Sequence, residues 1–455
     1  MFCFVKHPFC FLFLFLSSIS ALYGQAIISD TANILLRIKS EGKFGYAKLS
    51  GRIVISAVYQ NASDFTEGLA AVKLNNQFGY IDINGNTAIR FNYDSATPFS
   101  DGLALVFKAG VPSYINKSGK NIFSFKGRIL GAFHNDMAYI TTFNDKAGII
   151  NKDGKLIVDT VYSQIQDFSC GRATVINFAK DEGLIDEKGN TIVPLGKYKS
   201  IGSFSSEFAI VSMPSITTDQ GSIMELWGII DTNGNLLYSG NKNDKNYPVG
   251  VVHDGYVKMR LFKYWNSDCK GMFLPQANCN YQGILDVKGN YLLKDTLIDY
   301  VGNFSCGRDF ILDIHDNWHI INRQAKYIEK GDYFQPFRNG FVNGKALVNS
   351  QLINRWEFID TNANQLANIL PGETSIKDID FKHEYIFTSQ KKGKGSSVVD
   401  FTGKTIINPD TLDFAVYPGT AVIAGYKFIN GFANHDELPV IYYNKQGEVI
   451  WRSLN

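Results

Sequence analysis

The chain is expected to be all-β: a tandem array of about ten short antiparallel β-meanders, open and solenoid-like, with closed β-propellers as the alternative. Three observations predict this. A tight-turn unit recurs along the chain, an aromatic marker follows it at fixed spacing, and no segment shows helical periodicity of useful length.

The turn unit is clearest in Gln77-Phe78-Gly79-Tyr80-Ile81-Asp82-Ile83-Asn84-Gly85-Asn86. Asp82 can bond to backbone two residues on, and Gly85 supplies the positive φ of a type I turn with a bulge. The spacing returns at Asn116/Gly119, Asn151/Gly154, Asp186/Gly189, Asp231/Gly234, Asp286/Gly289, Asp400/Gly403 and Asn444/Gly447. Asn322/Ala325 and Asp360/Ala363 lack the glycine. An aromatic-Gly triplet precedes several copies, as in Phe44-Gly45-Tyr46 and Trp227-Gly228-Ile229.

The second marker is Phe65-Thr-Glu-Gly-Leu-Ala70, repeated from Phe99, Phe133, Phe168, Phe204 and Phe304, and read once more from Phe337. Its Phe is expected to plug the core between units, with a recurrent Tyr (Tyr59, Tyr93, Tyr162, Tyr198) beside it. The period is about 34 residues, which leaves room for three short strands and their turns. Leu69–Leu74 and Phe78–Ile83 are apolar on both alternating sets, so neighbouring units must cover both faces. About ten copies exceed the usual four to eight blades of one propeller.

These residues resemble the bacterial WG-repeat (KWG) family over roughly residues 40 to 455. The resemblance implies a tandem β-repeat protein, often extracytoplasmic, used for binding or scaffolding. It supplies no catalytic residues.

In order, residues 1–24 read as a secretory signal: Lys6 and His7, an apolar run Phe9–Leu16, then small and polar residues. Residues 25–215 hold the regular repeats, 216–282 a repeat with long insertions, and 283–455 degenerate repeats with a C-terminal cap at Ile450-Trp451. Extra residues fall at 212–226 and 254–281, where loops are expected. No later run is apolar enough to span a bilayer, so no stable span is expected once the signal is removed. The net charge of +2 leaves no footprint for nucleic acid or an anionic membrane.

Secretion permits disulfides, and Cys269 with Cys279 in one insertion is the favoured pair. Cys170 and Cys306 recur at one repeat position, in Phe-Ser-Cys-Gly-Arg, and read as buried free thiols. Asp231-Thr-Asn-Gly-Asn235 lacks the twelve-residue loop and closing Glu of a calcium site, so its Asp reads as a turn residue. His315 and His319 with Asp313 and Asp316 are four apart at a hairpin entry, without the Glu of a zinc helix. Lys391–Gly395 is a solvated turn rather than a phosphate loop.

No catalytic, metal or cofactor site is predicted. The leading expectation is an exported, non-catalytic binding or scaffold protein, with an unknown protein or glycan of the cell envelope as partner, acting in the periplasm, at the surface or outside the cell. Tyr264 and Trp265 are candidate binding-loop aromatics. A glycan-binding protein, with Trp227 also exposed, and a β-propeller hydrolase with a channel site are the alternatives.

Overall fold

The computed structural model describes residues 34–124, 127, 129–217, 223–240, 247–262, 280–294, 298–302, 305–313, 318–328, 336–337, 340–350, 354–371, 374–389, 396–410, 412–416, 421–426, 428–429, 432–433, 439 and 441–452. Among them there is no helix. Eleven small antiparallel sheets of three or four strands follow one another along the chain, with one extra two-stranded hairpin. None of the sheets closes on itself. The fold is the all-β tandem array that the repeat predicts.

The second sheet shows how the unit is built. Asn61–Ala62, Leu69–Leu74, Gln77–Asp82 and Thr87–Tyr93 pair in chain order as a meander. These strand positions are called a, b, c and d below. On strand b, Ala70 and Val72 enter one core cluster with Tyr46 of the first sheet. Leu69 and Ala71 enter another with Phe99 of the third sheet. One strand is thus covered on both faces by its neighbours, as its unbroken apolar run requires. Burying a side chain the size of Val72 contributes roughly 1.5–3 kcal/mol, and each unit needs its neighbours to obtain it.

Three turns join the four strands. The a–b turn places Glu67 (φ 52) and Gly68 (φ 86) in the left-handed region, with Thr66 and Leu69 exchanging backbone bonds. That is a two-residue type I′ hairpin, whose twist matches the strands it joins. The b–c turn repeats the device with Asn75 and Asn76. The c–d turn is the predicted Asx turn. The Gly85 N–H donates to the Asp82 carbonyl at 2.9 Å, while Asp82 Oδ1 accepts the N–H groups of Asn84 and Asn86. The register then slips between Tyr80 and Ile81, as a bulge demands. Ala325 (φ 56) and Ala363 (φ 61) also adopt a positive φ at the position the glycines hold in other copies.

Sheets are tied to each other by a repeated hydroxyl. Tyr46, Tyr80 and Tyr114 are buried in strand c, and each donates to a carbonyl of the next sheet: Ser63 at 2.6 Å, Thr97 at 2.8 Å and Gly131 at 2.6 Å. The same rings pack on Phe65, Phe99 and Phe133, with centroids 4.7, 4.9 and 5.1 Å apart. The marker Phe is therefore the predicted plug, packed ring on ring against the strand-c Tyr. Tyr59 and Tyr198, on strand d, lie in the clusters that hold Phe65 and Phe204, beside the plug as expected.

The chain divides into two compact units. One comprises Tyr162–Ser375 with Asp400–Lys404 and holds the fifth to ninth sheets. Consecutive sheets in it share cores, such as Leu184 with Ile201, Ile229 with Val257, and Ile284 with Ile311.

The other unit comprises Phe4–Val161, Ile376–Val399 and Thr405–Asn455. It joins the first four sheets to the last two. Leu36, Ile38 and Ala47 of the first sheet share a core with Val422, Ala424, Tyr426 and Tyr442 of the eleventh. Tyr442 occupies the strand-c position of Tyr80, two residues before the turn Asx, and its hydroxyl donates to Arg37 O at 3.0 Å. Within this unit the last sheet contacts the first through a strand-c Tyr hydroxyl, as consecutive sheets do, but the acceptor lies within the strand Leu35–Ser40 instead of after a strand a. Ile450 and Trp451, the expected cap, pack into this shared core.

Two sequence readings change. The marker read from Phe337 starts at Phe341, because Val342 and Lys345 exchange the bonds of the type I′ turn and Phe341 is buried. The two adjacent Phe-x-x-Gly strings look alike, and only strand register separates them. The insertion at 212–226 is in large part strand rather than loop. Phe208–Thr217 and Ile223–Asp231 lengthen one hairpin, with a bulge between Met213 and Ile216.

Candidate functional site

In a four-strand meander the a–b and c–d turns emerge at the same end of the sheet. The leading a–b tip residue holds nearly one backbone conformation in eight sheets: Glu67, Asp101, Asn135, Cys170, Ser206, Asp254, Cys306 and Asn343 lie at φ 50–53. The side chains at that position are acidic, polar or thiol. The c–d tip adds the residue after the Asx, which is Lys117, Lys152, Glu187, Thr232, Arg323 or Thr361 in six sheets.

These tips engage their neighbours. In the unit that holds the first and last sheets, both oxygens of Glu67 lie 3.1 Å from the Gly102 N–H, and Lys117 pairs with Glu67 at 2.9 Å. Asp101 Oδ2 accepts the Asp136 N–H at 2.8 Å, and Asp136 pairs with Lys152. Burial acts to raise the Glu67 carboxyl, but Lys117 and the Gly102 N–H outweigh it and hold it below its ordinary range. The hydrogen bond to Asp136 raises the Lys152 ammonium.

The other unit uses the same scheme with different residues. Ser206 Oγ accepts the Asp254 N–H at 3.2 Å, and Arg323 pairs with Asp254 at 2.5 Å. Arg172 Nε donates to Thr232 O at 2.5 Å, and Arg308 Nε to Thr361 O at 2.8 Å. Phe-Ser-Cys-Gly-Arg is thus matched twice with a following Asp-Thr-Asn turn. Ser169 and Ser305 complete both copies by donating to Phe204 O and Phe341 O.

The residues singled out from sequence do not assemble into one site. Tyr264, Trp265, Cys269 and Cys279 lie outside the described residues, as do residues 1–33, 314–317 and 391–395. Trp227 is buried between the sixth and seventh sheets rather than exposed. Cys170 and Cys306 are not in disulfides, and neither is buried as expected: at the leading position of their hairpin tips Cys170 is half-buried against a core and Cys306 is exposed. His319 pairs with Asp313 at 3.1 Å and stacks edge-on against Tyr327. Among the described residues no group of three or more His, Cys, Asp or Glu side chains could hold a metal. Asp231 spends both oxygens on its own turn: Oδ1 on the N–H groups of Asn233 and Asn235, Oδ2 on the Asn235 amide.

Sequence reading missed the tips as a set. It also missed the seventh-sheet copy, Val252-His-Asp-Gly-Tyr-Val257, whose Asp-Gly pair between apolar residues is a hairpin signal.

Residues 44–77, 78–111, 148–177 and 183–213 match the family model described as WG containing repeat. No curated protein matches the chain. Among solved structures it is similar to one described as a eukaryotic initiation factor, at 11% identity and a TM-score of 0.36, over 82% of this chain and 95% of that one. It is also similar to BamB from Moraxella catarrhalis, at 10% identity and a TM-score of 0.28, over 73% of this chain and 90% of that one. No helix among the described residues is long and apolar enough to cross a membrane.

Proposed function

We propose that the chain is an exported, non-catalytic binding or scaffold protein whose partner, a protein or glycan of the cell envelope, is contacted by the turn tips. The observation that carries this reading is the division of labour within the repeat. Frame positions join sheets from inside, Tyr46, Tyr80 and Tyr114 by inter-sheet hydrogen bonds and Phe99 and Phe133 in the cores, whereas the bonds between tips lie at the surface. Tip positions hold one backbone conformation while their side chains change from Glu67 to Cys170 to Asp254. A rigid scaffold that presents varied side chains on turns suits recognition. The apolar run Phe9–Leu16 behind Lys6 supports export.

The test compares tip and frame variants of the signal-free protein. Immobilised wild type, a Glu67→Ala/Asp101→Ala/Lys117→Ala triple variant and Tyr80→Phe are titrated with fractionated envelope extract. The account expects the tip variant to lose saturable binding at least tenfold while keeping a cooperative melt, and Tyr80→Phe to keep its affinity. Wild-type affinity in the tip variant would remove the tips from the binding surface. Fractionation of cells expressing the full chain tests export, and retention with cytosolic markers would contradict it.

A further inference from the structure

The seam between the seventh and eighth sheets, inside the unit Tyr162–Ser375, breaks the repeat's packing rule. The second strand-b position is buried alanine in many sheets, including Ala70, Ala104, Ala138, Ala173, Ala209 and Ala346. In the eighth sheet it is Asp309, which is 2% exposed. The third strand-b position of the preceding sheet changes with it. Ala71 and Ala104 share one core between the second and third sheets. The register aligns Lys258 with Ala71, since Lys258 pairs with Ile284 as Ala71 pairs with Tyr80. It aligns Asp309 with Ala104, since Asp309 pairs with Ile321 as Ala104 pairs with Ile115. The positions of two alanines that share one core are here taken by a lysine and an aspartate that influence each other's charge.

The acid is poorly satisfied there. Its Oδ1 accepts the N–H of the adjacent Phe310 at 2.8 Å, and its Oδ2 is buried with no hydrogen-bond partner among the described residues. Room for the side chain comes from Gly302, where an added Cβ would collide with Oδ1. Burial pushes the carboxyl up to about 8 against the Phe310 N–H and the Lys258 charge. Burial also lowers the Lys258 ammonium, with Asp309 opposing. Beyond Lys258, His253 is lowered by burial and by the Lys258 charge. At the tip of the same hairpin Asp254 is already paired with Arg323.

We propose that this seam is a proton-controlled joint: with a proton on Asp309 the two sheets stay packed, and removal of that proton loosens them at this one junction. A neutral carboxyl is tolerated in the core as a small polar group. An ionised one with an unpartnered oxygen is not, unless the seam opens to admit water. The sign follows from linkage. The closed seam holds its proton up to about pH 8, whereas in an opened seam the carboxyl titrates near its ordinary value of about 4. Between these limits the closed form binds one more proton, so opening becomes easier as pH rises and levels off above the upper limit.

The test is native-state hydrogen exchange on the signal-free full chain, expressed as protection factors between pH 5 and 9. Amides of Tyr256–Phe262 and Arg308–Asp313 are expected to lose protection by up to about tenfold per pH unit below pH 8. Those of Leu69–Leu74 serve as the internal reference and are expected to stay level. Asp309→Asn keeps the shape and removes the titration, so its seam amides are expected to be flat with pH. Asp309→Ala restores the residue found in the other sheets and is expected to be flat and more protected above pH 7. Protection independent of pH in wild type, or the wild-type profile in Asp309→Asn, would overturn the proposal.

Discussion

Tyr80 shows what one residue contributes to this architecture. It fills the space against Phe99, and its hydroxyl crosses to the next sheet. Burial raises the phenol well above its ordinary range, so it remains a neutral donor at any physiological pH. Tyr80→Phe keeps the ring and leaves the Thr97 carbonyl without this donor, and should cost about 1 kcal/mol by denaturant melts. Glycines divide into two kinds. At Gly45 an added Cβ would lie 2.5 Å from the Ile55 carbonyl oxygen, whereas at Gly102 (φ 81) it would meet nothing within 4 Å. Gly102→Ala should therefore cost only left-handed strain, roughly 1–2 kcal/mol. Gly45→Ala forces strand d away and should cost more, with lost exchange protection in Ile53–Tyr59. Sequence spacing identified both glycines. It could not separate them, because a glycine required by φ and one required by close approach look identical in a string of letters.

At the scale of the element, the c–d turn was the most legible feature, because its hydrogen bonds lie within five residues. Asp82, Asp186 and Asp231 all make the predicted bonds and are held below the ordinary carboxyl range. For Asp82 the main cause is the Asn86 side-chain hydrogen bond. For Asp186 and Asp231 burial opposes, and the Asn190 and Asn235 bonds outweigh it. A depressed folded value means that the stabilisation is present above the unfolded value near 4 and is lost as pH falls through the lower folded ones. Replacing the three by Asn, which already stands at Asn116 and Asn151, should flatten the acid limb of the melting profile below the unfolded value of about 4. The a–b turn was half legible. Its recurrence was visible as a marker but not as a hairpin tip, and Cys170 at φ 51 and Cys306 at φ 53 are not residues that propensity places in a left-handed tip. The marker at Phe341 was misplaced by four residues for a related reason: register is set by the partner strand, which a local reading does not see.

At the scale of the whole molecule, the number and class of the sheets followed from the repeat, because each unit needs neighbours on both faces. The joining of the chain's ends did not. Tyr442 sits in Ile441-Tyr442-Tyr443-Asn444, a degenerate copy, and its acceptor Arg37 is 405 residues away. No periodicity connects a last unit to a first. Yet Leu36 and Ile38, buried in the first sheet, have their cover in the eleventh, so the first sheet depends on residues made last. This places the repeat frame, rather than either terminus, in charge of stability, and leaves the tips to vary. The direct test is hydrogen exchange on the signal-free chain with and without residues 413–455. The account predicts that truncation strips protection from Leu35–Ser40 and Lys43–Lys48 while Arg172–Ile176 and Glu182–Asp186, in the other unit, keep theirs. Unchanged protection in the first sheet would contradict it.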